Sequence, residues 1–303
     1  MWAGEAKEPQ IYYWGGAKVA VEPAADVVPD HACAISGLLE AQATATQYSY
    51  PQAPPGADAT RSLVSANGTA AANLNCGNWN YQAVFSATNV FPYQYSFGNR
   101  GDKYRDVYGD AGGDVFWRDP NSFMIGAGVR RHIETEHLEG FGTWNGQNFD
   151  ETWNIWTGTA FAELYPNEQF TLGLTGFFQG GDSLDGFNGI DYQLRSYGGS
   201  AYVRYYMTPN LRLSLRGFVS QSDNITSNVS SNNVNAVVSA DYKIEDSPIS
   251  VFGGVRYGGN NSNSGSSLVP NTYLQGFAGF RIAFGPNANS TLLERDRKGV
   301  NLH

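Results

Sequence analysis

Apolar and polar residues alternate with a period of two along most of the chain after residue 79. The stretch "TPNLRLSLRGFVSQ" is a plain example, because Leu211, Leu213 and Leu215 form one row while Arg212 and Arg216 belong to the other. Successive side chains of a β-strand point to opposite faces of its sheet. The pattern therefore predicts a strand with one apolar face and one polar face that carries arginines.

The same unit recurs along the chain: two alternating segments are joined by a short turn, and a longer polar loop leads to the next pair. This repetition predicts about ten strands, and eight or twelve strands also fit. An even number is typical of single-chain bacterial barrels. The predicted strands lie near residues 79–90, 106–118, 122–134, 151–164, 168–179, 191–207, 210–221, 233–244, 248–258 and 271–285.

The connections differ at the two ends of the predicted strands. The short turns contain Pro120, Pro166, Pro209 and Pro248, and proline suits a turn because it cannot donate a hydrogen bond within a central strand. Loops such as "SQSDNITSNVSSNN" are rich in Asn and Ser, which marks solvent-exposed connections. Short turns at one end and long loops at the other are typical of outer-membrane barrels.

A soluble β-sandwich or barrel would also alternate with a period of two, so the environment of the apolar face needs its own argument. The polar rows combine arginines and carboxylates with glycines, whereas a solvated face more usually carries Lys, Glu and Thr. The segments are also longer than the roughly five or six residues of a sandwich strand. Aromatic residues stand near the ends of the apolar rows, as in interfacial girdles; they are Trp117, Phe178, Tyr205, Tyr242, Tyr257 and Phe284. We therefore predict an all-β protein, an antiparallel up-and-down transmembrane β-barrel over residues 79–285.

The composition agrees with a membrane barrel and excludes some partners. Charged residues make up 16% of the chain, below the roughly 25% of soluble domains, and no run approaches the roughly 20 apolar residues of a membrane helix. The net charge of −9 argues against nucleic acid as a partner. The first ten residues lack the basic start and apolar core of a signal peptide. We expect a bacterial outer-membrane location, in contact with lipid and lipopolysaccharide, with the leader outside this chain.

The two ends of the chain differ from the barrel. Residues 1–78 predict an irregular N-terminal extension, in which a strand at 10–22 and the helix-like piece "CAISGLLEAQATAT" are the regular candidates. A loosely packed extension, a plug inside the barrel, and extra strands with a disulfide-bearing loop all fit this segment. Cys33 and Cys76 are candidates for a disulfide or for buried thiols. Residues 286–303 form a charged C-terminal tail, which we expect to be solvated.

The charged residues of the polar rows are candidates for lining the barrel lumen. There they would form a ladder in which arginines pair with carboxylates on other strands, and the partners of Arg212 and Arg216 would include Asp241 or Glu134. The predicted ladder comprises Asp114, Arg130, His132, Glu134, Glu136, Arg204, Arg212, Arg216, Asp241, Arg256 and Arg281.

The densest cluster of ionisable residues is "RRHIETEH", residues 130–137, in which His132, Glu134 and Glu136 share the inward face. A salt-bridge network with the inner arginines is the leading interpretation. A divalent metal or an anion could also bind there, and acid–base chemistry would resemble that of barrel-embedded lipid hydrolases. No serine can be tied to the cluster as a nucleophile, so the sequence assigns no catalytic residue, metal site or cofactor.

Several stretches of the chain match a family pattern. The segments "GGDVFWRDPNSFMIGAGV", "TPNLRLSLRG", and "GFRIAFG" followed by "TLLERDRKG" resemble an uncharacterised, chiefly alphaproteobacterial group of Gram-negative outer-membrane β-barrel proteins. That group pairs a Gly-rich strand ending in a WRDP turn with a last strand ending in an aromatic–Gly pair, before a charged tail. The resemblance covers roughly residues 105–300. It implies a barrel fold and an outer-membrane location, and it implies no activity.

Barrel size limits the function. At about ten strands the lumen would be mostly filled by side chains, which disfavours a wide porin. We expect a structural or surface-interaction role, for which external loops and an external ligand suffice. A narrow porin-like channel for small solutes is one alternative and requires the inner arginines to line an open path. An outer-membrane lipid-modifying enzyme is another, and it requires His132 and Glu134 beside an opening to lipid.

Overall fold

The structure, a computed structural model, is a closed antiparallel β-barrel with a short helix at one end. It describes residues 11–14, 17–20, 33–49, 60–97, 100–139, 149–184, 192–226, 228–262 and 271–300. No helix among these residues is both long and apolar enough to span a membrane. The barrel strands are β3 (Ala34–Ser49), β4 (Thr60–Cys76), β5 (Trp79–Phe97), β6 (Arg100–Asp119), β7 (Phe123–Glu139), β8 (Phe149–Asn167), β9 (Phe170–Leu184), β10 (Gln193–Thr208), β11 (Leu211–Asn224), β12 (Val229–Lys243), β13 (Ile249–Ser262) and β14 (Asn271–Phe284), and the helix is α1 (Leu292–Lys298).

The strands follow one another around the ring in chain order, and β14 pairs with β3 to close it. The prediction of an antiparallel barrel is confirmed, but the number of about ten strands was wrong, because the ring has twelve. The barrel also begins at Ala34, well before residue 79. The two additional strands, β3 and β4, lie inside the segment that predicts an irregular extension.

The composition of β3 and β4 explains why their alternation is hard to recognise. β3 covers the helix-like piece, and alanines dominate its outward row at Ala41, Ala43 and Ala45. Alanine is the strongest helix former, and it provides little apolar contrast with a polar neighbour. β4 has the same character, with small residues such as Gly68 outside and uncharged Asn67 inside. The interpretation of residues 33–46 as helix-like was therefore wrong, because these residues form most of β3.

Near the N-terminus the chain forms a second, separate sheet. β1 (Ile11–Trp14) and β2 (Ala17–Ala20) pair with each other in antiparallel fashion and with no barrel strand in the described part of the chain. The alternation had suggested one strand over 10–22, and this prediction was wrong because the structure has two short paired strands in this segment.

The barrel wall is apolar outside and polar inside. On β11, Leu215 and Val219 are each 56% exposed, whereas Arg212 on the opposite row is 7% exposed. Large apolar side chains are exposed in the same way on every barrel strand. A continuous apolar surface of this kind would be unfavourable in water, and it matches the lipid-facing belt of a membrane barrel.

Aromatic side chains on the outer wall form two bands. Tyr205 and Tyr197 on β10 are eight positions apart, or about 27 Å along a strand at ~3.4 Å per residue. At a strand tilt of ~40° this is a height of roughly 20 Å, close to the ~25 Å apolar band of such barrels. The band near the proline-containing turns comprises Trp79, Trp117, Phe123, Phe170, Tyr205, Tyr242 and Phe284. The band near the other end comprises Phe91, Trp156, Phe178, Tyr197 and Tyr257.

We call the end with Pro120, Pro166, Pro209 and Pro248 the turn side and the opposite end the loop side. The barrel strands contain from 14 residues in β11 to 20 in β6. About 9–11 tilted residues cross a bilayer, so the strands continue past the apolar belt.

A disulfide joins Cys33 and Cys76 at the turn side, with 4.3 Å between their Cα atoms. Cys33 directly precedes Ala34, which pairs with Asn75 in the β3–β4 register. The bridge therefore fixes the start of β3, whose other neighbour is β14 at the closing seam.

We expect the double variant Cys33→Ala/Cys76→Ala to fold but to lose about 2–4 kcal/mol of unfolding free energy. The reason is that the bridge closes a loop with a sequence separation of 43 residues and so restricts the unfolded chain. Urea unfolding in lipid vesicles, followed by tryptophan fluorescence, measures the change. Reduction of the wild-type protein should reproduce the shift and leave the double variant unaltered; equal midpoints for oxidised and reduced wild type would contradict the prediction.

Candidate functional site

The candidate site is the barrel lumen, and the structure places every residue of the predicted charge ladder on an inward-facing row. These residues and their neighbours occupy two zones. The acidic vestibule, toward the loop side, consists of Asp106, Asp110, His132, Glu134 and Glu136. The basic constriction, toward the turn side, consists of Arg204, Arg212, Arg216, Arg256 and Arg281. Between the zones, Arg130 and Asp114 form an ion pair at 3.3 Å.

His132 lies between two carboxylates in the acidic vestibule. Its Nδ1 is 2.9 Å from Asp110 Oδ1, and its Nε2 is 3.4 Å from Glu134 Oε2. The Ser86 hydroxyl donates to the other Asp110 oxygen at 2.9 Å. Asp106 and Asp110 are absent from the predicted ladder, although the same period of two that places Asp114 inside also places both of them there.

This arrangement does not form a nucleophile–base pair. A catalytic serine must direct its hydroxyl to a free nitrogen of the base, whereas Ser86 donates to Asp110 and both nitrogens of His132 face carboxylates. Among the described residues, no group of three or more His, Cys, Asp or Glu side chains is arranged to hold a metal ion. The geometry of the vestibule is therefore that of a hydrogen-bonded charge network.

Cross-strand ion pairs organise the basic constriction. Arg212 and Asp241 are direct partners in the β11–β12 register and are 2.8 Å apart. Arg281 and Glu40 are direct partners across the β14–β3 seam at 2.6 Å, and Arg281 also binds Asp241. Of the two partners proposed from the sequence, Asp241 lies here, whereas the structure places Glu134 beside His132.

The buried carboxylate of Glu163, which is 1% exposed, accepts hydrogen bonds from three side chains. Tyr165 donates at 2.9 Å and Arg204 at 3.1 Å, and the Tyr202 hydroxyl is the third donor. Gly173 lies between Glu163 and Tyr202 in the strand register. A Cβ atom at Gly173 would be 2.0 Å from the Tyr202 ring, so glycine is what lets this ring cross β9 to reach the carboxylate.

The C-terminal plug, which we define as residues 286–300, lies across the turn-side mouth of the lumen. It is held by backbone and side-chain hydrogen bonds to four neighbouring hairpins, which together span most of the ring. In the backbone of α1, the Leu293 N–H donates to the carbonyl of Pro209. The side-chain contacts are Arg295 with the carbonyl of Pro248, Arg297 with the carbonyls of Asn167 and Phe170, Arg118 with the carbonyl of Gly299, and Tyr206 and Arg212 with the carboxylate of Asp296.

The expectation of a solvated tail was wrong, because Leu292, Arg295 and Arg297 are buried. The arginines donate to turn carbonyls that would otherwise face the lumen mouth, so the charge that suggested solvation is what attaches the tail. A sequence signal for α1 was available in "TLLE": Thr291 and Glu294 form a reciprocal capping box at the start of the helix.

Asp296 anchors the plug to the constriction. Burial on its own would raise the pKa of this carboxyl, but the charges of Arg212 and Arg204 and the hydrogen bonds from Tyr206 and Arg212 outweigh burial and lower the pKa from 3.8 to about 2. Because the pKa is lower in the docked state, the ionised carboxylate stabilises docking. This stabilisation is complete above the ordinary pKa and is lost as the pH falls through the docked value.

We therefore expect the plug to release progressively as the pH falls from about 4 to about 2, as Asp296 becomes protonated. The measurement is the hydrogen-exchange protection of residues 286–300 in the purified protein across this pH range. In the Asp296→Asn variant this protection should be lower at neutral pH and should lose its pH response between 4 and 2. An Asp296→Asn variant that keeps the wild-type pH profile would show that other carboxylates control release.

Three cavities follow one another along the lumen. The loop-side cavity, of about 370 Å³, contains Asp110, Arg130 and the stacked rings of Phe177 and Phe218, whose centroids are 5.6 Å apart. The central cavity, of about 190 Å³, is lined by all five arginines of the basic constriction. A turn-side space of about 80 Å³ separates the plug from the β3–β14 wall. The plug therefore stands between this series of cavities and the turn-side exit.

Comparison with known proteins bears on the fold. No protein-family model matches the chain, and no curated protein matches it. An outer membrane channel from Pseudomonas putida F1 superposes with a TM-score of 0.56 at 14% identity, covering 86% of this chain and 100% of the channel. The fold is that of Gram-negative outer-membrane β-barrels.

Two autotransporter barrels are similarly related. The β domain of the Bordetella autotransporter BrkA has a TM-score of 0.52 at 12% identity and covers 82% of this chain and 100% of its own. The translocator domain of NalP from Neisseria meningitidis also has a TM-score of 0.52, at 10% identity, with 82% of this chain and 88% of that one covered. At these identities the likeness concerns the barrel architecture.

Proposed function

We propose that this protein is an outer-membrane channel for small polar solutes whose narrow lumen is closed at the turn side by the C-terminal plug. The observation that carries the proposal is the position of the plug at the end of a polar lumen that contains cavities of about 370 and 190 Å³. A barrel that served only as a scaffold would not require a polar path through its interior.

The outer wall supports the location. Its exposed apolar belt and its two aromatic bands fit a bilayer, and the short turns would face the periplasm with the loops outside. The plug would then close the periplasmic mouth. The Pseudomonas channel named above shares the fold and is described as an outer membrane channel.

The narrowness of the lumen restricts the solutes. A ring of twelve strands lies between small barrels filled by side chains and wide porins with an aqueous channel. The stacked Phe177 and Phe218 line the loop-side cavity of about 370 Å³, and the five arginines of the constriction line the central cavity of about 190 Å³. Only small, polar solutes would fit between them.

The experiment has two parts. Membrane fractionation and heat-modifiable mobility in SDS gels test the location, and a protein that remains in the soluble fraction would contradict it. Single-channel recording in planar bilayers, on the intact chain and on a chain that ends at residue 285, tests conduction. Steps from the truncated chain support the channel, whereas silence from both forms would contradict conduction and favour a structural or surface-interaction role.

A further inference from the structure

The central cavity holds two arginines that differ from the others. Three arginines of the basic constriction, Arg204, Arg212 and Arg281, share the carboxylates of Glu163, Asp241, Asp296 and Glu40. Arg216 and Arg256 have no carboxylate partner among the described residues. The cluster of five arginines and four carboxylates therefore keeps one uncompensated positive charge at the centre of the lumen.

The strand register brings the two unpaired arginines to the same row. Arg216 on β11 pairs with Val237 on β12, which pairs with Arg256 on β13. Their Cα atoms are therefore about 10 Å apart, or two strand spacings of ~4.8 Å. Both side chains line the central cavity, and the buried Nε of Arg256 has no hydrogen-bond partner within the described chain.

The rest of the cavity lining combines donors with the apolar side chains of Val237, Phe252 and Phe277 and with the Asp241 carboxylate, which Arg212 and Arg281 bind. Ser214 and Ser239 are cross-strand partners, and both line the cavity with Gln42. The Tyr202 ring lies 4.8 Å from the Arg216 guanidinium and so limits where this side chain can move. A volume of about 190 Å³ is room for about six water molecules at ~30 Å³ each, which is enough for a small anion and part of its hydration shell.

We infer that the central cavity is a binding site for a small oxyanion of the phosphate or carboxylate class, held between Arg216 and Arg256. Planar guanidinium groups match the geometry of phosphate and carboxylate oxygens, and one bound monoanion would neutralise the uncompensated charge. The inference deepens the proposed function and rests on it for its physiological role, because the anion would occupy the solute path.

The test uses inorganic phosphate and the folded full-length protein in detergent. Isothermal titration calorimetry should detect phosphate binding to the wild type, and Arg216→Gln/Arg256→Gln should weaken it at least about tenfold, as expected for lost charge-assisted hydrogen bonds. The matched control is Arg131→Gln, because Arg131 is an exposed arginine of the outer wall that lies over the Trp156 ring. Absence of binding to the wild type, or equal binding to the double variant, would overturn the inference.

Stability distinguishes a binding role from a structural one. Without phosphate, the double variant should be at least as stable as the wild type, because it removes two like charges that repel each other. Phosphate should raise the wild-type unfolding midpoint and leave that of the double variant unchanged. A double variant that is strongly destabilised without phosphate would mean that the two arginines are structural, which contradicts the inference.

The two proposals fail separately. Phosphate binding is measured in micelles and needs no current, so binding without channel steps would contradict the channel and retain the anion site. Channel steps without phosphate binding would contradict the anion site and retain the channel.

Discussion

Deletion of residues 286–303 should convert the barrel from a narrowly conducting or closed form to one with several-fold larger single-channel conductance. The plug spans the turn-side mouth through its contacts with the turns around Pro209 and Pro248, and a turn-side space of about 80 Å³ lies between it and the β3–β14 wall. Without the plug, the basic constriction would be the remaining barrier between the loop-side cavity and the turn-side exit. Planar-bilayer recording at fixed salt gives the conductance of both forms.

Point variants within α1 weaken the docking of the plug without removing its residues, so they test the effect of docking by itself. Arg297→Ala removes donors to the carbonyls of Asn167 and Phe170 and should raise the open probability without changing the size of the open step. Lys298→Ala is the matched control, since Lys298 is the adjacent basic residue and is exposed. If the deletion leaves the conductance at the wild-type value, the plug does not obstruct the path.

Replacement of Glu163 by glutamine should be the most destabilising single change in the lumen, with a loss of about 3 kcal/mol of unfolding free energy. The substitution keeps the size of the side chain but removes the charge that compensates Arg204, which is 7% exposed. Removal of the counter-ion costs a buried guanidinium far more free energy than it costs a solvated one. Urea unfolding of the barrel in vesicles measures the loss.

Two further variants test the reason for that loss. Glu168→Gln changes a carboxylate exposed in the turn between β8 and β9 and should alter the unfolding free energy by less than about 0.5 kcal/mol. The double variant Glu163→Gln/Arg204→Met removes both buried charges and should recover much of the stability, because the penalty belongs to the unpaired arginine. A double variant less stable than Glu163→Gln would contradict this explanation.

The alternation of β5 to β14 was sufficient to predict most of the barrel. Most of these strands lie within or around a segment whose apolar and polar rows are visible in the sequence, although the segment 151–164 is apolar on both faces, and their inward rows contain the predicted charge ladder. The period of two follows from backbone geometry alone, so it can be recognised without any knowledge of the partner strands. β3 and β4 were not recognised, because Ala, Gly, Asn and Thr weaken the contrast between the rows.

The candidate site was only partly predictable for a related reason. Period-two counting could have added Asp106 and Asp110 to the inward row, and the capping box of Thr291 and Glu294 could have indicated α1. No local pattern, however, could show that Arg212 has two carboxylate partners while Arg216 has none among the residues that the structure describes. Such pairings depend on which strands become neighbours and on how they are aligned.

The sequence by itself therefore determined the strands with strong contrast, the apolar outer face, and the presence of charge inside, because these depend on spacing along one strand. Tertiary structure decided the closure of twelve strands through the β3–β14 seam, since closure requires a pairing between distant segments. It also determined that the charged tail is buried at the turn-side mouth. Arg295 and Arg297 would be solvated on a free chain, but they are buried here because barrel closure gathers the turn carbonyls into one ring within their reach.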